Sequence, residues 1–358
     1  MIFSPLMAFL GTAELPPLAQ RLVQRFVLLI SLQTSMYLIS RAFYMLVIID
    51  YVGFQTLGLF LAASALIQAI LDYPSGVLGD WIGQRWVLTS AFLFYGLSYS
   101  LLFHANSLLE IFFVYVFSAI ASSQESGALQ SWFDNNYMIS IDKTDSNREI
   151  YQEFQGKSQS ILGFIGAFSI VLGGFVATLQ FRKLVFLVQA VSMFFTAALC
   201  LFFITDFSEN IRPKRSFRKY FHILKEGLYF GFFTKYMFFF TISICLWNII
   251  WQIWIEMILF PIYFGYSGSD AGAGIIRFIG WMGNSIIAGR AGIWSKKLNP
   301  HKWVPRLNFV ILLSFFDYFA LLLTLFPLEN EFNIIPVSLM LCYFFVFFVL
   351  NNFFLILR

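Results

Sequence analysis

The sequence predicts an all-α, polytopic membrane helix bundle of about ten transmembrane helices, six before a basic linker and four after it. Three observations carry that expectation. Of the 358 residues, 59% are hydrophobic, 20% aromatic and only 12% charged, too little polar surface to coat a water-soluble globule of this length. The apolar residues come in long runs, and a run of about 20 suffices to cross, because each helical residue rises about 1.5 Å and the hydrocarbon core is about 30 Å thick. Lys and Arg, which cytoplasmic loops retain, are distributed asymmetrically.

Ten runs qualify, at roughly 24–50, 55–78, 86–103, 108–134, 156–179, 184–205, 236–263, 271–290, 304–326 and 334–356. Residues 1–20 lack the basic start of a signal peptide and read as a surface-lying or disordered lead-in. The division is then 21–205 for a first six-helix bundle, 206–235 for a cytoplasmic linker and 236–358 for a second bundle of four. With the N-terminus inside, 19 of the 23 Lys and Arg fall in inner segments, Arg182 and Lys183 form the outer pair, and Arg41 and Arg277 lie within spans. Both termini are therefore expected in the cytoplasm, with the chain in the cell membrane. The net charge of +4 is a topology signal and carries no argument for nucleic acid. Cys200, Cys245 and Cys342 sit inside apolar runs without metal-ligand spacing and read as packing residues, so neither a metal nor a cofactor is expected.

The linker holds Arg212-Pro213-Lys214-Arg215-Ser216-Phe217-Arg218-Lys219, followed by Tyr220, Phe221, Ile223, Leu224, Leu228 and Tyr229. A basic amphipathic stretch of this kind prefers the headgroup plane. It reads as an inter-domain linker adhering to anionic lipid.

Between the second and third runs lies Tyr73-Pro74-Ser75-Gly76-Val77-Leu78-Gly79-Asp80-Trp81-Ile82-Gly83-Gln84-Arg85, a polar hinge. Gly76 and Gly79 would let two helices approach closely, Asp80 leaves a carboxylate at the membrane surface, Gly83 permits a tight turn and Arg85 returns the charge. In order, spacing and place in the chain, Gly76, Asp80, Gly83 and Arg85 resemble the loop between helices 2 and 3 of the major facilitator superfamily. Trp81 and Gln84 stand where that family usually has basic residues. The resemblance implies two six-helix halves that rock about a central cavity. It also implies that Arg85 bridges Asp134 and that Asp80 faces the second half as a cytoplasmic gate. Helices 11 and 12 would be missing, and the expectation is a chain truncated after Arg358. A fainter echo, Gly289-Arg290-Ala291-Gly292-Ile293-Trp294-Ser295-Lys296-Lys297, follows the eighth run without an aspartate. Drug antiporters of the family carry a Gly-Pro pair ahead of a Gly-Gly pair in the fifth helix. Here Ser169-Ile170 precede Gly173-Gly174, which does not support an exporter.

Ionisable groups inside spans are costly, about 2.5 to 3.5 kcal/mol at a helix centre on insertion scales, so each needs a reason. Arg41, Glu125, Glu256, Arg277 and Asp317 are the residues singled out on this ground. Gln33, Tyr37, Ser40, Arg41 and Tyr44 recur at helical spacing as one polar stripe, and Trp247, Asn248, Trp251, Gln252, Trp254 and Glu256 interleave polar groups with large rings in the seventh run. In the superfamily the first, fourth, seventh and tenth helices line the cavity, so the resemblance implies a substrate cavity of Gln33, Tyr37, Arg41, Tyr44, Asn248, Trp251 and Gln252. The same stripes would also suit hydrogen-bonded packing groups. By depth, Arg41 lies roughly 6 Å outward of mid-membrane and Glu125 about as far inward, whereas Glu256 and Arg277 come out in the outer half. Arg41, Glu256 and Arg277 are thus the expected outer gate. Ser122-Ser123-Gln124-Glu125-Ser126-Gly127-Ala128 is the most polar patch in any span, and Glu125 with Asp317 are the candidates for proton coupling. Gly163, Gly166, Gly173 and Gly174 are expected to bring helices close.

The preferred reading is a secondary transporter, monomeric and not an enzyme, that moves a small organic solute by alternating access with the bilayer and protons as its other partners. The alternatives are a polytopic enzyme acting on a lipid-linked substrate and a non-transporting protein of the same fold. His104, His222 and His301 are scattered, and no phosphate-cradling or nucleophile motif appears.

Overall fold

In the computed structural model the placement of residues 4–141, 144–145, 147–205, 217–239 and 260–297 is described, with isolated positions beyond. The elements are α1 (Ser4–Leu10), α2 (Pro17–Leu38), α3 (Tyr44–Ile82), α4 (Gln84–His104), α5 (Leu108–Glu125), α6 (Ala128–Ser140), α7 (Glu149–Val176), a π-helical turn (Ala177–Phe181), α8 (Arg182–Phe203), α9 (Phe217–Phe233), α10 (Phe260–Ser267) and α11 (Asp270–Lys297). No strand occurs among the described residues.

Five stretches are long and apolar enough to cross a membrane: Tyr44–Ile82, Gln84–His104, Leu108–Ser140, Glu149–Leu179 and Arg182–Phe203. They cover the second to sixth runs of the sequence, the first stretch also taking in the end of the first run across a non-helical break at Gly53 (φ 73°, ψ 165°). Large apolar side chains such as Leu59 (70% exposed) and Phe202 (74%) point outward from them. Such a surface suits lipid, where every backbone polar group must be satisfied within the helix and apolar side chains carry no penalty. The seventh, ninth and tenth runs lie largely or wholly outside the described residues.

Several expectations are corrected. The lead-in is neither loose nor merely surface-lying: α1 packs on α7, with Met7, Leu10 and Leu15 buried. The first run is not one helix, because α2 stops at Leu38 and residues 39–43 form a chain of turns. The polar hinge is mostly helical. α3 continues through Pro74 to Ile82, and the reversal is concentrated at Gly83 (φ 104°, ψ 143°), a conformation that favours glycine. The stretch Gly289–Lys297 is likewise the end of α11 and forms no second hairpin loop.

Contacts divide the chain into two units that follow packing and not chain order. The first comprises residues 1–43, 140–182 and 262–358. Its frame is α7 against α11, with α2 laid on α7 through Phe26 and Phe154, whose ring centres are 6.0 Å apart. α7 starts where the Asp145 carboxylate accepts from the backbone N–H of Ile150 (3.0 Å) and Tyr151 (2.9 Å), an anion placed on the positive end of the helix. The expected small-residue contacts are present. A Cβ on Gly163 would meet the Ser285 Cα at 2.9 Å, one on Gly174 the Asp270 carbonyl oxygen at 2.6 Å, and one on Gly173 would collide with the Ile39 carbonyl. Gly166 leaves room for Leu38 and Trp281.

The second unit comprises residues 44–139 and 183–261. Here α4 and α5 pair, joined by Ser98 Oγ donating to the Val114 carbonyl (2.9 Å). α5 begins with a capping box in which Ser107 and Glu110 satisfy each other's backbone N–H groups. Phe60 of α3 packs on Phe112 and Tyr115 of α5. Gly96 of α4 admits the Phe194 ring of α8, and Trp132 of α6, fully buried, donates to the Thr205 carbonyl at 3.1 Å.

Candidate functional site

Within the second unit, α3 and α5 are apolar helices that become polar at one shared level. Pro74 lies inside α3 and has no N–H to offer, so the carbonyl one turn before it loses its usual partner. Ser75 Oγ, on the buried side, donates to the Asp72 carbonyl at 2.8 Å and lies 2.5 Å from the Ser123 carbonyl on α5. Two residues after that second contact α5 ends: Ser126 leaves helical geometry (ψ 104°), Gly127 takes φ 75°, and α6 starts at Ala128. A Cβ on Gly127 would meet nothing within 4 Å, so its glycine is required by conformation and not by space.

Across this junction Ser126 comes close enough to the Asp72 carboxylate to interact with it. Asp72 Oδ1 and Gln124 Oε1 are buried with no hydrogen-bond partner. The junction therefore gathers a carboxylate, hydroxyls and the carbonyls released at a helix end, and it has more acceptors than donors. Chemically it can hold a proton, a cation or the donor groups of a solute. Irregular backbone at membrane depth persists only where protein buries it or water lines it. Asp72 lies roughly 8 Å inward of the middle of its run, close to the level assigned to Glu125. Glu125 is half-buried at the last position of α5.

Asp72 is the residue that sequence reasoning missed. It stands beside Tyr73-Pro74-Ser75-Gly76, which reads as a loop, although α3 continues through it. The signal that could have found it is an acidic residue two positions before a proline inside an apolar run.

The hairpin residues divide by role. Gly79 is buried and a Cβ there would meet the Gln84 side chain at 2.6 Å, whereas Gly76 is exposed with open space where its Cβ would be. The expected close approach of helices at Gly76 is thus not formed. Asp80 is exposed in the last turn of α3. The Arg85 guanidinium lies 5.7 Å from the Trp86 ring and its Nε has no hydrogen-bond partner, while Asp134 accepts from Gln130 Nε2 at 3.1 Å. The described residues show no ion pair between Arg85 and Asp134.

The stripe expected on the first helix is interrupted. Arg41 lies 4.1 Å from the centre of the Tyr37 ring in a cation–π contact, and Gln33 is half-buried with its Oε1 unpartnered, but Ser40 is buried in the turns. Tyr44 opens α3 in the second unit and sets its ring edge-on to Phe186 at 6.2 Å. Arg277 is buried (6% exposed) on α11. Asn248, Trp251, Gln252, Glu256 and Asp317 lie outside the described residues.

One ion pair in the first unit was not foreseen. Arg182 grips Asp270 with two bonds, Nε to Oδ2 at 2.8 Å and Nη2 to Oδ1 at 2.9 Å, and Asp270 is 5% exposed. Next to it Thr178 Oγ1 donates to the Gly174 carbonyl (2.9 Å) and accepts from the Ala271 N–H (3.1 Å). Asp270 also occupies the first turn of α11, where negative charge suits the helix dipole. Comparison of the chain with protein-family models, curated proteins and solved structures returns no match. Among the described residues no group of three or more His, Cys, Asp or Glu is arranged to hold a metal.

Proposed function

We propose that this chain is a secondary active transporter of the major facilitator type, with about ten spans and both termini cytoplasmic, that carries a small organic solute by alternating access. The observation that carries the reading is the junction of Asp72, Ser75, Ser123 and Ser126 at the α5–α6 break. Discontinuous helices whose ends face a polar niche are how membrane carriers bind solutes and coupling ions. A carboxylate in such a niche needs a proton or a cation to remain in an apolar helix, so proton coupling extends from Glu125 and Asp317 to Asp72. The Gly76, Asp80, Gly83 and Arg85 pattern supports the same reading through its resemblance to the family's gate loop. In it, Gln33, Tyr37, Arg41, Tyr44, Asn248, Trp251 and Gln252 serve the cavity and Arg41, Glu256 and Arg277 the outer gate.

The test is flux in proteoliposomes of the full chain against a panel of labelled organic solutes, with and without a pH gradient. Uptake that a pH gradient accelerates and that Asp72→Asn reduces at least tenfold is the expected result. Turnover of a lipid-linked substrate without net flux would favour the membrane-enzyme reading and overturn this one.

A further inference from the structure

The amphipathic helix α9, to which the transport reading gives no role, is tied to α3. Tyr220 Oη donates to the Pro74 carbonyl at 3.2 Å, and the Tyr220 ring lies 5.7 Å from that of Trp81. Gly227 passes so near the Tyr73 hydroxyl that no Cβ could be accommodated without displacement. One side of α9 thus rests on the segment of α3 that contains the internal proline and leads to the Gly83 turn at the membrane surface.

Among the described residues, several side chains on the remaining sides of α9 are exposed. Arg218 and Lys225 are exposed, and beside them stand Phe221 (61% exposed) and Leu228 (42%). The His222 and Glu226 side chains meet each other at 3.2 Å, so the acid on this surface is already engaged. In sequence the helix follows Arg212, Lys214 and Arg215. Cations next to exposed aromatic and aliphatic side chains, on a helix attached where a spanning helix leaves the membrane, match one surface above others: a leaflet whose headgroups are anionic and whose acyl region accepts the rings.

We infer that α9 is a binding surface for anionic lipid, and that its occupancy is transmitted to the Pro74–Gly83 end of α3 through Tyr220 and Gly227. The inference stands whether or not the chain transports. Each Lys or Arg near such a surface contributes about 1 kcal/mol, or about fivefold in affinity. The phosphatidylglycerol headgroup is anionic and that of phosphatidylcholine is zwitterionic, so the two lipids separate charge from acyl contact.

The experiment uses the full chain, purified and delipidated in detergent, titrated with either lipid. Bound lipid is counted by native mass spectrometry and thermal stability is followed in parallel. Phosphatidylglycerol should bind at least tenfold more tightly and raise the melting temperature. In R218Q/K225Q most of that preference should be lost, each residue contributing roughly a factor of five. Gly227→Leu keeps every charge but separates α9 from Tyr73. It should retain the lipid preference and lose the thermal shift. Equal binding of the two lipids, or a preference unchanged in R218Q/K225Q, would overturn the inference. So would millimolar inorganic phosphate displacing phosphatidylglycerol completely, because the site would then take a phosphate group and not a lipid surface. A thermal shift that survives in Gly227→Leu would overturn the transmission to α3.

Discussion

The α7–α11 joint of the first unit and the α3–α5/α6 junction of the second solve the same problem, a polar group in an apolar surrounding, in opposite ways. At the joint, glycines bring backbones into contact, the Ser285 and Ser160 hydroxyls pair, and Arg182 closes both oxygens of Asp270. At the junction, a left-handed glycine separates α5 from α6 beside a proline that α3 accommodates, and Asp72 Oδ1 and Gln124 Oε1 are left buried without partners. Although Trp281 Nε1 of α11 is also buried without a partner, close backbones and a two-bond ion pair make a joint that holds one arrangement. Unmatched acceptors beside irregular backbone make a place where a proton, ion or solute changes the energy, and where change is therefore cheap.

The contrast fixes the order of mutational effects. The largest belongs to the joint: Gly173→Leu drives a side chain into the Ile39 carbonyl and should abolish folded protein, read as loss of the monodisperse peak in detergent. Next, Arg182→Ala leaves the Asp270 carboxylate buried without its cation, a loss of about 3 kcal/mol, at the low end for a buried pair because Arg182 stays partly solvated. Thermal unfolding of Arg182→Ala against the double variant Arg182→Ala/Asp270→Asn checks this. The double variant should recover part of the loss, since it removes the stranded charge.

At the hairpin, Gly83→Ala forces a side chain onto positive φ and should cost about 1 to 2 kcal/mol, whereas Gly76→Ala, in a helix with open space, should be neutral or slightly stabilising. The smallest effect on stability is expected at the junction. Asp72→Asn removes a half-buried carboxylate and loses little more than its interaction with Ser126, about 1 kcal/mol, while on the proposed function it reduces flux at least tenfold. A variant that is folded and silent is the signature of a working group. A variant that is merely unstable is the signature of a structural one.

The parts legible in the sequence are those whose cause is local. Apolar runs of spanning length mark α4, α7 and α8 because lipid imposes that pattern residue by residue. Gly83 is legible since few other residues take its φ, and Gly163, Gly166, Gly173 and Gly174 of α7 since close helices need small side chains. The end of α2 at Leu38 is not legible. No glycine or proline marks it, and the turns that follow, with Arg41 N–H on the Leu38 carbonyl and Phe43 N–H on the Ser40 carbonyl, keep nearly helical spacing while breaking the stripe. Asp72 was hidden by a proline that reads as punctuation yet sits inside a helix. The Arg182–Asp270 pair joins residues 88 apart, and no local pattern announces it.

Hydrogen–deuterium exchange of the full chain in lipid nanodiscs tests the contrast between the two regions most directly. Amides of residues 122–131 at the α5–α6 break should exchange at least tenfold faster than those of residues 163–174 in the α7 joint, because the helix is broken there at a left-handed glycine while close backbone contacts cover the joint. Equal protection of the two segments, or slower exchange at the break, would contradict the proposed difference between the junction and the joint.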